Sequence, residues 1–491
     1  MGQFDYDASL EGGVIMKQYI VILIALALVG GVFWARNAEG ICEGGASDEA
    51  CEGAGYQQHF RYTGKYPDDV SNTGFVDQAQ GIAHDDYYWY ITTSTNDNPN
   101  IWRIPVTQNL YGVGVGTPGV TMVRNDTVVC PTKDGDRNLG TQLGYNHYGD
   151  LVAYKRKEDG KYYLLVPIEN GTPGHAIAVF RAEDFACLGF DVVKLNNNPD
   201  PLKSDASAWC AVDKDGNVYT SPNNWGLFEW DWNPILLKYS LNWDTLGADP
   251  QNPVQLTFIG PIFLLKENGE LLPPSEISGP GQGGEFSPDG TLLYVSGGVA
   301  GEYGGIHVFD TSNWRRIARS HSSGTFYYDI YQPWWCTWQY QEPEGLTVWD
   351  LERQRASYLD PDWAPYIQGQ LHVLLLQNGV TGDSLYLYHY TNTTYVDYLY
   401  GDTADGTIGR PFKTVGEALA FYNQNEYFDH GHWTGGRIKI HTGSYNEALT
   451  FSRRIQLIPW SGKATVGSTG RFSLTPGGAI NIADGGVLKL Y

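Results

Sequence analysis

Two short stretches carry the side chains best suited to chemistry. GIAHDDYY holds His84 and Asp85, and YNHYGD holds His147 and Asp150. Each pairs an imidazole with carboxylates at the start of an apolar, strand-like run. Two His and two or three Asp brought together could bind a divalent metal, or act as acid and base. The same residues serve equally well as turn and strand-start groups bonded to their neighbours. Asp213, Asp215 and Asn217 in DKDGN have the i, i+2, i+4 spacing of a calcium loop, as do Asp134, Asp136 and Asn138 in KDGDRN. Both lack the distal Glu that completes an EF-hand, and an Asp-Gly hairpin accounts for the first. Calcium or another divalent ion is the only cofactor these patterns suggest.

Tryptophan is dense in two places. NNWGLFEWDWN contains Trp225, Trp230 and Trp232, and QPWWCTWQY contains Trp334, Trp335 and Trp338. Flat aromatic faces beside Asp, Asn and Gln suit stacking on sugar rings, while core packing is the plainer use of such residues. Trp225, Trp230, Trp334 and Trp335 are the candidate ligand contacts. His430 and His432 in DHGHW have a metal-compatible spacing but fit a solvated loop. No GxSxG, P-loop, GxGxxG, HExxH or zinc spacing occurs in the strand–helix context those motifs need.

The chain that must position these residues has 491 of them, 14% aromatic and only 18% charged, with 60 Gly. That composition suits short strands and tight turns. Lys and Arg number 32 against 55 Asp and Glu, a net charge of −23. Such a surface repels nucleic acid and anionic membranes; it is compatible with divalent cations, cationic partners or neutral glycans. Met16-Lys17 followed by an apolar run from Tyr19 to Ala35 has the pattern of a secretory signal. Translation is expected to start at Met16, with cleavage after Ala38 or retention as an N-terminal membrane anchor. Residues 1–38 are read as extension and signal, and 39–55 as a linker. Export permits disulfides among Cys42, Cys51, Cys130, Cys187, Cys210 and Cys336. Cys42–Cys51 would close a local loop; the other pairings stay open.

From about residue 56 to 395 a theme recurs: a Gly- or Asp-rich turn, a β-branched or aromatic strand, a second strand, then a last one. Six such units are legible, beginning at QGIAHDDYYWYITT, YGDLVAYKR, ASAWCAVDKDGNVYTS, GGEFSPDGTLLYVSGG, FYYDIYQPWWCTWQY and QGQLHVLLLQNG. Small antiparallel sheets in radial array make a β-propeller, whose inner strands share a ligand face at the central channel. FSPDGTLLYVSGG, IHVFDTSNWRRI and VDKDGNVYTS resemble the blades of secreted bacterial propellers of the YVTN/NHL/TolB-like kind. Six blades are expected, with QQHFRYTG adding a closing strand to the last.

After residue 395 the pattern changes. DGT at 405–407, PFKTV at 411–415, EAL at 417–419 and GSYNEAL at 443–449 resemble the opening of a right-handed parallel β-helix of the pectate-lyase-like group. The segment 396–491 is read either as a small capped module or as the cut-short start of a longer one, and it shows no cluster of the catalytic residues that group carries. Thr414 and Glu417 form a capping box, and Val415, Ala418, Leu419 and Tyr422 share one face. An amphipathic helix there would cover the open end of the coils.

The expectation is an all-β protein: a propeller followed by a short parallel β-helix with a capping helix. Its expected role is non-catalytic extracellular binding of glycan or another cell-surface or matrix component. The alternatives are a polysaccharide lyase or hydrolase using His84, Asp85, His147 and Asp150, and a structural envelope module. Oligomeric state is left open.

Overall fold

The computed structural model describes residues 61–65, 67, 70–71, 74–94, 98–194, 208–221, 235–249, 253–273, 277, 281–297, 305–319, 341–349, 351, 370–377, 384–391, 393–404, 406, 410–424, 436–451, 454–466, 472–474 and 479–482. Trp225, Trp230, Trp334 and Trp335, the signal segment, and Cys42, Cys51 and Cys336 lie outside the described residues, as do His430 and His432. Contacts divide the chain into two units: Gln58–Thr391, and Asn392–Tyr491 together with Met1–Gln57.

Among the described residues, the first unit has five sheets that each run through four strands, beside the two-stranded pair Val129–Cys130 with Arg137–Asn138. The first blade is Ala79–His84, Tyr88–Thr93, Asn100–Pro105 and Thr121–Arg124. The second is Val152–Lys155, Tyr162–Glu169, Ala176–Arg181 and Cys187–Val192, with His147–Tyr148 added beside Tyr162–Glu169. The third is Ala211–Val212, Asn217–Thr220, Ile235–Leu241 and Leu256–Phe263. The fourth is Gly281–Phe286, Leu292–Gly297, Gly305–Asp310 and Arg315–Arg319. In the fifth, Gln341–Val348, Leu371–Gln377 and Ser384–Thr391 are completed by Arg61–Lys65 from the far end of the unit. All of these pairings are antiparallel. The first strand of each sheet meets the first strand of the next, and that of the fifth meets that of the first. The unit is a β-propeller of five blades.

Five blades replace the expected six because two sequence units merge. EGLTVWD and QGQLHVLLLQNG belong to one sheet: Leu346 lies opposite Val373 and Thr347 opposite His372. The long connection between them imitates a blade boundary in the sequence.

Local chemistry explains the strands. In DKDGN, Gly216 takes φ +80°, a left-handed conformation that a side chain resists, and the hairpin turns there. Gly290 in SPDG does the same at φ +70°. The inward residues of neighbouring blades then interdigitate. Trp89, Trp102 and Ile104 of the first blade pack with Trp349, Leu374 and Leu387 of the fifth. Leu165, Ile177 and Val179 of the second pack with Val218, Leu237 and Tyr239 of the third. A disulfide joins Cys130 to Cys187, tying the short strand Val129–Cys130 to the outer strand of the second blade. Cys210 is a buried free thiol.

In the second unit the pairing becomes parallel. Thr393–Val396, Gly436–Tyr445, Arg454–Val466 and Ala479–Ile482 form one parallel sheet, and Leu449–Phe451 pairs in parallel with Phe472–Leu474. Helix α1 is Val415–Gln424. Its capping box is formed: Thr414 Oγ1 accepts from Glu417 N at 3.0 Å, and a Glu417 carboxylate oxygen accepts from Thr414 N at 3.1 Å. Val415, Ala418, Leu419 and Tyr422 are buried with Ile438, Ile440, Ile455 and Leu457 of the parallel strands. The second anchor of the helix was not legible beforehand. Glu447 accepts from Val415 N at 2.9 Å and Gly416 N at 2.7 Å, placing a carboxylate on the positive end of the helix.

Candidate functional site

Asp150 stands at the axis of the ring. Its carboxylate accepts from Ile82 N of the first blade at 2.9 Å and Gly284 N of the fourth at 3.2 Å, and from Leu346 N of the fifth. Its own N–H reaches Ala208 O, and Cys210 N returns to Asp150 O. Glycines make room for it. A Cβ on Gly81 would lie 2.4 Å from Asp150 Cα, one on Gly283 2.7 Å from Oδ2, and one on Gly345 2.5 Å from Oδ1. The inner strands therefore close on this one carboxyl. Burial raises its pKa well above the ordinary aspartate value, and nearby Glu285 adds to this, while the three N–H groups pull back.

Other carboxyls lie near it. Glu285, on the inner strand of the fourth blade, accepts from Val348 N at 2.9 Å. Burial pushes its pKa up to about 8. Glu344 is buried on the inner strand of the fifth blade, and Glu342 is half-buried two residues earlier. Burial raises both, and the two carboxyls bond to each other. Glu344 is raised further by the charges of Glu342 and Asp150. These acids were missed from sequence. The available signal was a lone Glu beside Gly within a strand pattern, in GGEF and in EPEG.

The other sequence-predicted residues are occupied separately. His84 is the last residue of its inner strand, whereas His147 is the first of its own. His84 stacks on Trp349, with ring centroids 4.4 Å apart and planes within 4°. Its ring nitrogens face Val348 O and Asp85 O, and burial lowers its pKa. Asp85 turns the hairpin, accepting from Tyr87 N, Tyr88 N and the Tyr90 hydroxyl at 2.7, 2.8 and 2.6 Å. His147 lies 3.3 Å from Glu169, which His175 approaches from its other oxygen. Burial works against the Glu169 charge, but the two imidazoles outweigh it and hold the carboxyl down at about 2. Asp213 is committed to its turn, accepting from Asp215 N, Asn217 N, Asn217 Nδ2 and the Tyr219 hydroxyl. Asn217 is engaged there, leaving Asp215 alone of that trio on the surface. No group of three or more His, Cys, Asp or Glu placed to hold a metal ion occurs among the described residues.

Asp215 instead lines a pocket of about 290 Å³ between the second and third blades. Tyr154, Glu158, Trp243, Asp244 and Thr245 also line it. Trp243 follows the third strand of the third blade and packs on Tyr154, ring centroids 4.8 Å apart. Tyr163 meets it edge-on at 5.8 Å. The indole N–H donates to Gly216 O at 2.7 Å, and a Cβ on Gly216 would lie 2.8 Å from that nitrogen. The glycine that turns the DKDGN hairpin thus also seats the tryptophan. Trp243 was not singled out from sequence; its position just beyond the strand Ile235–Leu241, in LNWDT, is the signal that marks it as a loop aromatic.

Comparison with known proteins gives no matching family model and no matching curated protein. Similar solved structures include glutaminyl cyclase of Myxococcus xanthus, at 9% identity, covering 68% of this chain and 98% of that one with a TM-score of 0.32. A GH43_1 enzyme of Xanthomonas citri is similar at 11% identity, covering 70% and 94% with a TM-score of 0.28. A Trypanosoma rangeli sialidase is similar at 11% identity, covering 64% and 44% with a TM-score of 0.31. At such values none carries an argument about the chemistry of this chain.

Proposed function

We propose that this chain is an extracellular glycan-binding protein whose propeller holds a sugar in the pocket between its second and third blades. The observation that carries the reading is the combination in one 290 Å³ cavity of the Trp243 and Tyr154 rings with the carboxylate of Asp215. Aromatic faces take the apolar side of a pyranose, and a carboxylate accepts from its hydroxyls. The apolar run after Met16-Lys17 and the Cys130–Cys187 bridge support export to an oxidising compartment. The parallel sheets of the second unit support a short right-handed β-helix whose end α1 covers. The test is a glycan array followed by calorimetry on the mature chain. Trp243→Ala and Asp215→Asn are expected to abolish or sharply weaken whatever binding the wild type shows. Wild-type binding that survives both changes would place the site elsewhere.

A second reading, polysaccharide cleavage, is favoured by one observation: Glu342 and Glu344 form a bonded carboxyl pair with raised pKa values. Two carboxyls bonded to each other share a proton, and such a pair can deliver it as a general acid. Glycosidic cleavage that is lost in Glu344→Gln but kept in Trp243→Ala would select this reading over the first.

A further inference from the structure

We infer that the pocket between the second and third blades selects a sugar carrying a free ammonium group, as in unacetylated amino sugars, an inference that rests on reading the pocket as a glycan site. Three carboxylates line it: Glu158, Asp215 and Asp244. A single guanidinium serves most of the acids around it. Arg156 lies 3.2 Å from Glu158, 3.5 Å from Asp159 and 2.8 Å from Asp244. Asp215 has no ion-pair partner among the described residues. Three lysines of the surrounding turns are directed elsewhere: Lys214 towards Gly290, Lys238 to Asp213 and the Tyr219 ring, and Lys161 beside Asp159. The cavity therefore carries a surplus of negative charge.

Two of its neutral donors are already used. The Trp243 N–H is given to Gly216 O, the Asn242 amide donates to Thr245 Oγ1, and the Asn242 carbonyl accepts from Gln255 N. The lining offers a ligand aromatic surface and carboxylate oxygen, with the hydroxyls of Tyr154 and Thr245 beside them and no cationic side chain among them. An acetamido carbonyl would find few donors there, and an acidic sugar would meet like charge. An ammonium group finds both an aromatic face and counter-charges.

The experiment compares a glucosamine oligomer with the N-acetylglucosamine oligomer of equal length by calorimetry. It uses the mature chain, Asp215→Asn and Trp243→Ala, at low and raised salt, with spermidine as a plain polyamine control. The expected result is a preference of about tenfold for the free amine, the size of one cation–aromatic contact with its counter-charge. That preference should shrink with salt and vanish in Asp215→Asn. Equal binding of the two oligomers would overturn the charge selection and leave the glycan site standing. Binding of neither, together with a blank array, would overturn both. Spermidine binding as tightly as the oligomer, indifferent to Asp215 and Trp243, would show attraction by the overall charge of −23 and overturn the inference.

Discussion

Replacing Asp150 by Ala tests whether one carboxyl holds the inner strands together. The substitution strips an acceptor from Ile82 N, Gly284 N and Leu346 N, which belong to three different blades. Each buried donor left unpaired costs about 1–3 kcal/mol, so the gross loss is about 3–9 kcal/mol. Part returns because the variant no longer buries a carboxyl that resists ionising, so the net cost should be at least about 3 kcal/mol. For a domain of a few hundred residues that lowers Tm by about 6–12 °C. The surrounding glycines cannot relieve it, because they are in contact with Asp150 already and have no side chain to swing inward. Asp150→Asn keeps one carbonyl oxygen but turns an amide N–H towards donors, so it should fall between wild type and Ala. Urea denaturation followed by tryptophan fluorescence reads both. An Ala variant within about 1 kcal/mol of wild type would refute the reasoning, since even one orphaned donor should exceed that.

Three further outcomes follow from the same geometry. Between the ordinary glutamate value of 4.5 and about 8, folded Glu285 keeps a proton that the unfolded chain has lost, so stability falls as pH rises through that window. Glu285→Gln should flatten that fall measured as urea midpoint against pH, and an unchanged slope would remove Glu285 as its source. Glu447→Ala should destabilise α1 by about 1–2 kcal/mol through loss of two N-terminal acceptors, seen as faster amide exchange at Val415 and Gly416; unchanged exchange would count against it. Breaking the Cys130–Cys187 bridge, which spans 57 residues, should cost about 4 kcal/mol by the chain-entropy argument, read as a lower midpoint in the Cys130→Ser/Cys187→Ser variant.

Much of the architecture was legible because its signals are local. Asp-Gly hairpins and β-branched or aromatic runs marked the first four blades, and Thr414 with Glu417 marked α1. The fifth blade was misread because strand pairing across a long connection leaves no local trace: nothing in EGLTVWD announces Leu371–Gln377 as its neighbour. The site was legible only in fragments. Asp150 stood out, but its partners are backbone N–H groups and glycines, which look like turns until the inner strands converge. Trp243, Asp215 and Tyr154 come from three separate hairpins, and only the docking of the second blade on the third makes them one cavity.

The closing of the fifth blade by Arg61–Lys65 leaves the ring with a seam. Arg61 faces Thr391, so the two chain ends of the propeller run out side by side. During synthesis the seam stays open until the strand ending at Thr391 has emerged, and its closure spans nearly the whole unit. Contacts so distant in sequence make for slow folding. Adjacent ends also make the ring portable. It could be spliced into a surface hairpin of a host protein, or circularly permuted at the Asp159-Gly160 turn, without parting any strand from its neighbour.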